Sequence, residues 1–434
     1  MSRNFTNFRD IAEPFWEIES KLNLLEYEID GIKIWQVVRM EVYGKLLSDL
    51  LSLDESHKTS TVVEKLKNSK SMIYNSIFNN PIFSEQCDIV IFPHDRVIKV
   101  EDEYIDIYTH YLIDNLDVDK QKVLILEKPY GQLHFTKKKD NKKYLDYSIL
   151  LNGIKVKFFK NNKQLDNKYL LIQNELKKVF GLDIDIKDIF IRNLSIFKNY
   201  YKYYFKLLKK IQPKQIYLVV SYAYPWLIKV AKDLNIESIE LQHGTFSKYH
   251  LGYSYPFSMD KIAYFPDKFL VWNGYWKDLI PLPINKKNIE IIPFEFQRRE
   301  IAKYKNLPKI KNQVIVLSQG PISNMLAKVI LDNFEFFKNK TIKYKLHPGE
   351  FQRYKEYNYL TKLNSYDNVE IVLESDLYEL LAQSEYQVGV SSTALYEGLE
   401  FNLKTILADL PSVEYMEKLI LDEKIDIILK ENIE

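Results

Sequence analysis

The sequence predicts a two-domain α/β protein in which each domain is a parallel sheet flanked by helices. Three observations lead there. The C-terminal third alternates short apolar runs with helical patterns, the signature of parallel βαβ units. Apolar runs of the same kind recur, less regularly, through the N-terminal two thirds. At 434 residues the chain is also too long for one ordinary core.

Taken in order, the stretch from Asn4 to Leu53 reads as helical, with Trp16, Ile18, Leu22, Leu25, Trp35, Val38 and Val42 at packing positions. Strand candidates follow at CDIVIFP, KVLILEK, KQIYLVVS, ESIELQ, KFLVWN and NIEIIPF, and a helix from Trp226 to Leu234 joins the third to the fourth. Asp183 and Asp185 form a D-x-D in which Ile184 and Ile186 alternate as in a half-exposed strand, which argues against metal ligation there. From Phe190 to Ile211 there is no acidic residue, and Arg192, Lys198, Lys202, Lys206, Lys209 and Lys210 interleave with aromatics. That run suits an anionic membrane surface, or an exposed helix whose lysine stems cover rings. The polar, proline-interrupted segment from Arg299 to Gln313 is the candidate linker, giving domains at 1–305 and 306–434. Beyond it come VIVLSQ, a helix from Ile322 to Phe337, TIKYKLH, a helix from Phe351 to Leu363, VEIVLES, a short helix from Leu377 to Ser384, YQVGVSS, a helix from Thr393 and KTILADL.

Composition narrows the function classes. Hydrophobic residues at 46% against 28% charged describe a globular protein that is soluble, and a net charge of +2 implies no general affinity for nucleic acid. The single cysteine, Cys87, forms no internal disulfide and supplies no cysteine-based zinc site, which fits a reducing compartment. The N-terminal residues mix charges without an apolar segment, and no apolar run reaches the length of a bilayer crossing. The expected location is cytoplasmic, peripheral at the inner face of the cytoplasmic membrane. The seven histidines lie at no metal-ligand spacing, and no Walker or dinucleotide fingerprint occurs. Neither a metal nor a cofactor is expected.

Three strand-to-helix junctions carry the chemistry. In GVSSTALYEGLEFN, Ser391 and Ser392 are expected to cap the helix that begins at Thr393, turning free backbone N–H groups toward the crevice above the sheet. In YKLHPGE, Pro348 fixes His347 at a strand end, and Lys345 lies on the same face of the strand. A cationic imidazole beside two hydroxyls and a helix N-terminus suits a phosphate, and so a nucleotide-activated substrate. Gln319 and Gly320 close the first strand of this domain with a turn able to approach that phosphate, and Glu397 is placed to accept from ribose hydroxyls. The third junction is His243, Gly244 and Thr245 after ESIELQ, where His243 is a candidate general base or, alternatively, a holder of phosphate.

The His347-Pro348 and Ser391-Ser392 pairs resemble the HP and SS motifs of bacterial sialyltransferases and polysialyltransferases. The HGT element at His243 resembles that of CDP-glycerol glycerophosphotransferases, and its LQHG run resembles capsule Kdo transferases. The likeness spans Ile216 to Leu410. It implies a GT-B type fold, two Rossmann-like domains facing a cleft, with a helical N-terminal extension. It implies a metal-independent glycosyltransferase of capsule or lipopolysaccharide synthesis, with a nucleotide-sugar donor, favoured as a CMP-sugar, and a glycan or glycolipid acceptor. His347, Ser391 and Ser392 then hold donor phosphate, and His243 is the catalytic candidate. The acidic pair followed by glycine that supplies the sialyltransferase base is missing; Asp95, beside Arg96 on the acceptor side after CDIVIFP, and Glu101 with Asp102 are the nearest acidic groups, and Asp95 is the alternative catalytic candidate. A CDP-linked polyol-phosphate transferase and a nucleotide-sugar 2-epimerase are the alternative readings.

Overall fold

The computed structural model describes residues 5–53, 62–94, 97–116, 122–130, 132–157, 165–257 and 259–431. The chain opens on helices α1 (Phe8–Lys21) and α2 (Ile34–Leu51). Asn7 caps α1 by accepting from the Asp10 N–H at 2.9 Å. The expected helical stretch is interrupted between them by a hairpin pairing Glu28–Ile29 with Ile32–Lys33. Its turn is Asp30-Gly31, with φ of 55° and 73°, the left-handed pair that a two-residue hairpin needs. Helix α3 (Val62–Phe78) then leads to the first sheet.

That sheet consists of β1 (Ile89–Phe92), β2 (Val123–Glu127), β3 (Lys142–Tyr144), β4 (Gln215–Val219), β5 (Glu237–Leu241), β6 (Lys268–Val271) and β7 (Ile289–Ile291). Its strand order is β7-β6-β5-β4-β1-β2-β3, parallel throughout. Because both faces are covered, β1 and β2 are apolar without alternation except for Glu127 at the end of β2, and they are buried at every residue. Helices α4 (Asp146–Lys157), α5 (Lys168–Phe180), α6 (Ile186–Ile211) and α7 (Pro225–Asp233) belong to this half. The D-x-D does not form a strand. Asp185 is the N-cap of α6, accepting from the Asp188 N–H at 2.9 Å, and Asp183 pairs with Lys177 at 2.8 Å.

The candidate linker begins inside helix α8 (Glu295–Tyr304) and continues as loop to β8 (Gln313–Leu317). The second sheet adds β9 (Thr341–Lys345), β10 (Val369–Val372), β11 (Tyr386–Gly389), β12 (Lys404–Ala408) and β13 (Ile427–Leu429), in the order β10-β9-β8-β11-β12-β13, again all parallel. Helices α9 (Ser323–Asp332), α10 (Asn358–Leu363), α11 (Leu377–Gln383) and α12 (Thr393–Leu399) connect its strands. The helix expected from Phe351 is α-helical only from Asn358, since Pro348–Glu350 and Tyr354–Glu356 are separate 3-10 turns.

Both sheets are therefore doubly wound in the Rossmann order, with switch points between β1 and β4 and between β8 and β11. One apolar cluster runs through both, from Ile91 and Leu241 to Leu317 and Leu395. The carboxyl end of β5 meets that of β11, where the Thr245 N–H donates to Thr393 Oγ1 at 3.2 Å. The result is a GT-B type arrangement: two Rossmann-like domains face one cleft, and α1 and α2 form the helical N-terminal extension. Buried at its centre, Arg39 of α2 pairs with Glu19 of α1 at 2.8 Å and donates to the Ser254 carbonyl at 2.9 Å and to that of Leu251. The extension thereby grips the loop that follows β5.

Candidate functional site

In the second domain the switch point is bridged by one side chain. Gln319, just past β8, accepts from the Ser391 N–H at 2.9 Å and donates to Ser391 Oγ at 3.1 Å. Ser391 Oγ also meets Ser412 Oγ at 2.7 Å. The serine pair therefore divides its work. Ser392 alone caps α12, accepting from the Ala394 N–H at 3.3 Å, because the Ser391 side chain is buried against Gln319 and Ser412.

His347 leaves β9 in extended conformation (φ −71°, ψ 141°), as a residue before proline must, and its ring is exposed. Its Nδ1 accepts from the Gly349 N–H at 3.1 Å, so the neutral ring carries its proton on Nε2. Beneath it Glu350 is fully buried, accepting from the His347 N–H at 2.8 Å and from Ser318 Oγ at 2.9 Å. Burial raises the Glu350 pKa above the ordinary carboxylate range, and the carboxyl ties the end of β8 to the end of β9. Lys345 does not bring its charge to His347. Its ammonium donates to the Leu373 carbonyl past β10, and burial lowers its pKa. Gly320 is buried in the turn after Gln319, and Glu397 is buried in the body of α12.

The first domain presents His243, Gly244 and Thr245 to this floor. A Cβ on Gly244 would stand 3.2 Å from Thr393 Oγ1, and Thr245 Oγ1 donates to the Ser391 carbonyl at 3.4 Å. Thr393 thus braces the HGT turn across the cleft. His243 is half-buried, and its carbonyl accepts from the Tyr108 hydroxyl at 2.6 Å. Its Nδ1 lies 3.3 Å from Tyr253 Oη, and the His94 ring stacks on it at 6.1 Å. Behind Tyr253, Glu240 of β5 accepts that hydroxyl at 2.6 Å and the Ser221 N–H at 3.1 Å. Desolvation pushes the Glu240 carboxyl up to about 7, against the pull of those donors. Val220, at the switch point after β4, holds φ 63°, a strained angle for a β-branched residue.

Asp106 organises the neighbouring loops. It accepts from the N–H groups of His94 at 3.3 Å, Tyr108 at 3.0 Å and Thr109 at 3.1 Å, and burial pushes its carboxyl up to about 6. Tyr108 stacks on Phe294, which stacks on Trp272, with centroids 5.6 and 4.8 Å apart. These rings, with Tyr111, Gln242 and Pro293, line a hollow at the carboxyl ends of β5 to β7. Asp95 and Arg96 lie outside the described residues. Among the described residues, no three His, Cys, Asp or Glu side chains gather where they would hold a metal ion.

The structure thus assembles His243, Gly244, Thr245, Gln319, Ser391, Ser392 and Thr393 in one place, with His347 and Pro348 at the neighbouring strand end. Sequence reasoning missed Glu240, Tyr253 and Asp106. Only Glu240 left a trace, as an acid inside an apolar strand.

No protein-family model matches this chain, and no curated protein matches it. Solved structures show similar folds. A UDP-GlcNAc 2-epimerase from Methanocaldococcus jannaschii, in complex with UDP-GlcNAc and UDP, is 13% identical over 79% of this chain and 89% of its own, with a TM-score of 0.46. A glycosyltransferase from Rickettsia africae is 14% identical over 75% and 80%, with a TM-score of 0.38. An Anabaena protein, HepE, in complex with UDP and glucose, is 11% identical over 76% and 83%, with a TM-score of 0.39.

Proposed function

We propose that this protein is a metal-independent glycosyltransferase that moves a sugar from a nucleotide-activated donor, favoured as a CMP-sugar, to a growing bacterial surface glycan of capsule or lipopolysaccharide type. The observation that carries this reading is the juxtaposition of the HGT turn with the serine turn through Thr393, at the carboxyl ends of two parallel sheets. In doubly wound folds that is where ligands bind.

In this reading residues 306–434 hold the donor. His347 offers its ring to the phosphate, Gln319 and Ser391 form the floor, and Ser392 and Thr393 begin the helix beside it. These groups stabilise charge growing on the leaving phosphate. Gly320 lets the turn come close, and Glu397 receives ribose. Residues 1–305 present the acceptor hydroxyl over the aromatic hollow, with His243 taking its proton and Asp95 as the alternative base. Contact with the inner face of the membrane brings a glycolipid acceptor within reach, which sedimentation with anionic vesicles tests.

The measurement that decides the donor half is a thermal-shift series with CMP, CDP, UDP, GDP and their sugars, on the wild type and on His347→Ala and the double variant Ser391→Ala, Ser392→Ala. A cytidine nucleotide is expected to raise the melting temperature of the wild type only, and transfer is expected to fall about 10²- to 10³-fold in the variants. Full transfer by well-folded variants would sink the reading. Turnover of the nucleotide-sugar without acceptor would move it to a 2-epimerase, and a phosphodiester product would move it to polyol-phosphate transfer.

A further inference from the structure

We infer that a second hollow in the first domain is an acceptor subsite, and that it takes an uncharged sugar unit of the glycan next to the unit being extended. The inference deepens the proposed function, resting on it for the direction of transfer, while binding at the hollow is measurable without any donor.

The segment from Asp106 to Ile113 is a partition with different chemistry on its two sides. Ile107, Tyr108, Tyr111 and Leu112 line the aromatic hollow together with Phe294 and Trp272. Asp106, Thr109, His110 and Ile113 line the other hollow, beside the carboxyl ends of β1 and β2, where Pro93 and Glu127 stand. Both sides adjoin the HGT turn. Next to Pro93, His94 stacks on His243 at 6.1 Å, and from the partition the Tyr108 hydroxyl reaches the His243 carbonyl at 2.6 Å. The second hollow is thus a neighbour of the place proposed for the acceptor hydroxyl.

Its lining selects by hydrogen bonds rather than by charge. The carboxyl groups of Glu103, Asp106 and Glu127 stand among the ammonium groups of Lys137, Lys139 and Lys142, with the His110 imidazole beside them, so carboxylates and ammonium ions balance. The deeper groups are fixed by bonds to one another. Lys142 donates to Thr136 Oγ1 at 2.5 Å and to the Lys137 carbonyl at 2.9 Å and pairs with Glu127 at 3.1 Å, while the Thr136 hydroxyl donates to Glu127. Asp106 accepts from Thr109 Oγ1 at 2.5 Å in addition to its N–H donors. Contact with a ligand then falls to the mouth, where Glu103 and Lys137 pair at 3.0 Å with side chains 46% and 71% exposed. A phosphate or a carboxylated sugar would meet as many carboxylates as cations there. The hydroxyls of a neutral sugar both donate and accept, and a wall of mixed groups offers both.

Rings at the mouth supply the other half of sugar recognition. Tyr104 lines the hollow and is 41% exposed, and Phe135, 42% exposed, lies 5.8 Å from it and 6.4 Å from Tyr130. Rings so exposed add little to the core. A pyranose has an apolar face of C–H groups and a rim of hydroxyls, and an aromatic face beside donors and acceptors matches both.

The test is saturation-transfer difference NMR of the full-length protein without donor, using cellotetraose, maltotetraose and mannotetraose as neutral probes and tetragalacturonate as the anionic one. At least one neutral tetrasaccharide is expected to bind, with its Kd rising about 10-fold in the double variant Tyr104→Ala, Phe135→Ala. Tetragalacturonate is expected to bind about 10-fold more weakly, and Glu103→Lys, which gives the mouth an excess of ammonium groups, should reverse that order. Silence from every neutral probe, binding that the double variant keeps, or tetragalacturonate as the better ligand of the wild type overturns the inference. Should the double variant fail to fold, the order of the probes and its reversal in Glu103→Lys decide alone. Transfer assays separate the subsite from the proposed function. The double variant should lose the advantage of a three-unit acceptor over a single unit, through a KM about 10-fold higher. If no sugar is transferred while tetrasaccharide binding still depends on Tyr104 and Phe135, the proposed function fails and the subsite stands. If transfer proceeds and the variant keeps the preference for the longer acceptor, the subsite fails and the proposed function stands.

Discussion

His134 shows what one residue does when carboxylates hold it on both sides. Its Nδ1 lies 2.6 Å from Glu127 and its Nε2 2.8 Å from Asp146, with Lys142 adding a 3.1 Å pair to Glu127 and the Tyr144 ring stacked at 3.8 Å. Burial opposes the charged ring, but the two carboxylates outweigh it and raise the His134 pKa. A raised folded-state pKa contributes stability that is fully present below the ordinary value of 6.5 and is lost as pH rises through the raised one. His134→Leu should cost about 3–5 kcal/mol in urea unfolding at pH 6, because two buried carboxylates lose their partner, and the alkaline decline due to His134 should vanish with it. A variant as stable as the wild type would show the cluster to be neutral. Nothing in GQLHFTK announces this role, since the partners stand seven and twelve positions away and only the β2-β3 pairing brings them in.

At the scale of elements, α2 matters more for what it grips than for its own stability. Arg39 donates to the carbonyls on both sides of Tyr253, so the N-terminal extension fixes the loop that orients His243. Arg39→Met should lose about 3–5 kcal/mol by leaving the buried Glu19 with the Trp35 indole but no counter-charge, and should lower kcat beyond what lost stability explains. Adding Glu19→Gln should restore much of the stability and little of the kcat; parallel recovery of both would make the grip irrelevant. The packing positions Trp16, Trp35, Val38 and Val42 were legible from periodicity, and all are buried. The Asp30-Gly31 turn was equally legible as a hairpin signal but was masked by the helical pattern around it. In Asp183-Ile-Asp-Ile the alternation suggests a strand, yet Asp185 has α6 to cap, and capping decides the local structure. After Pro348 a second 3-10 turn at Tyr354 delays the helix to Asn358, a tertiary choice that periodicity does not encode.

Across the whole molecule, two parallel sheets were readable because buried strands are short and apolar and their connecting helices amphipathic. The turns that carry Gln319, His347 and Ser391 were readable too, lying at strand ends in the sequence. The contacts of Tyr253 with Glu240 and His243 were not, because the three belong together only once the loop after β5 folds back over it. One surface remains to be used. Ile73, Tyr74, Ile77 and Phe78 form an exposed strip on α3, continued by Ile82 and Phe83, and Lys210 of the acid-free stretch of α6 donates to the Ile82 carbonyl. No helix among the described residues is long and apolar enough to cross a membrane, so contact would be peripheral. Vesicles with phosphatidylserine should sediment the protein and neutral ones should not, and reversing Lys202, Lys206 and Lys209 to Glu should weaken binding at least about 10²-fold. Equal recovery on both kinds of vesicle would refute the electrostatic contact.

The Gln319 amide has a bearing on binding rates. Its own hydrogen bonds link both edges of the second switch point, so in the proposed function the donor nucleotide would meet a floor already held in shape. Little ordering is then left to oppose association on that side. The slow part of each encounter would fall to the opposite wall, at the turn that carries His243.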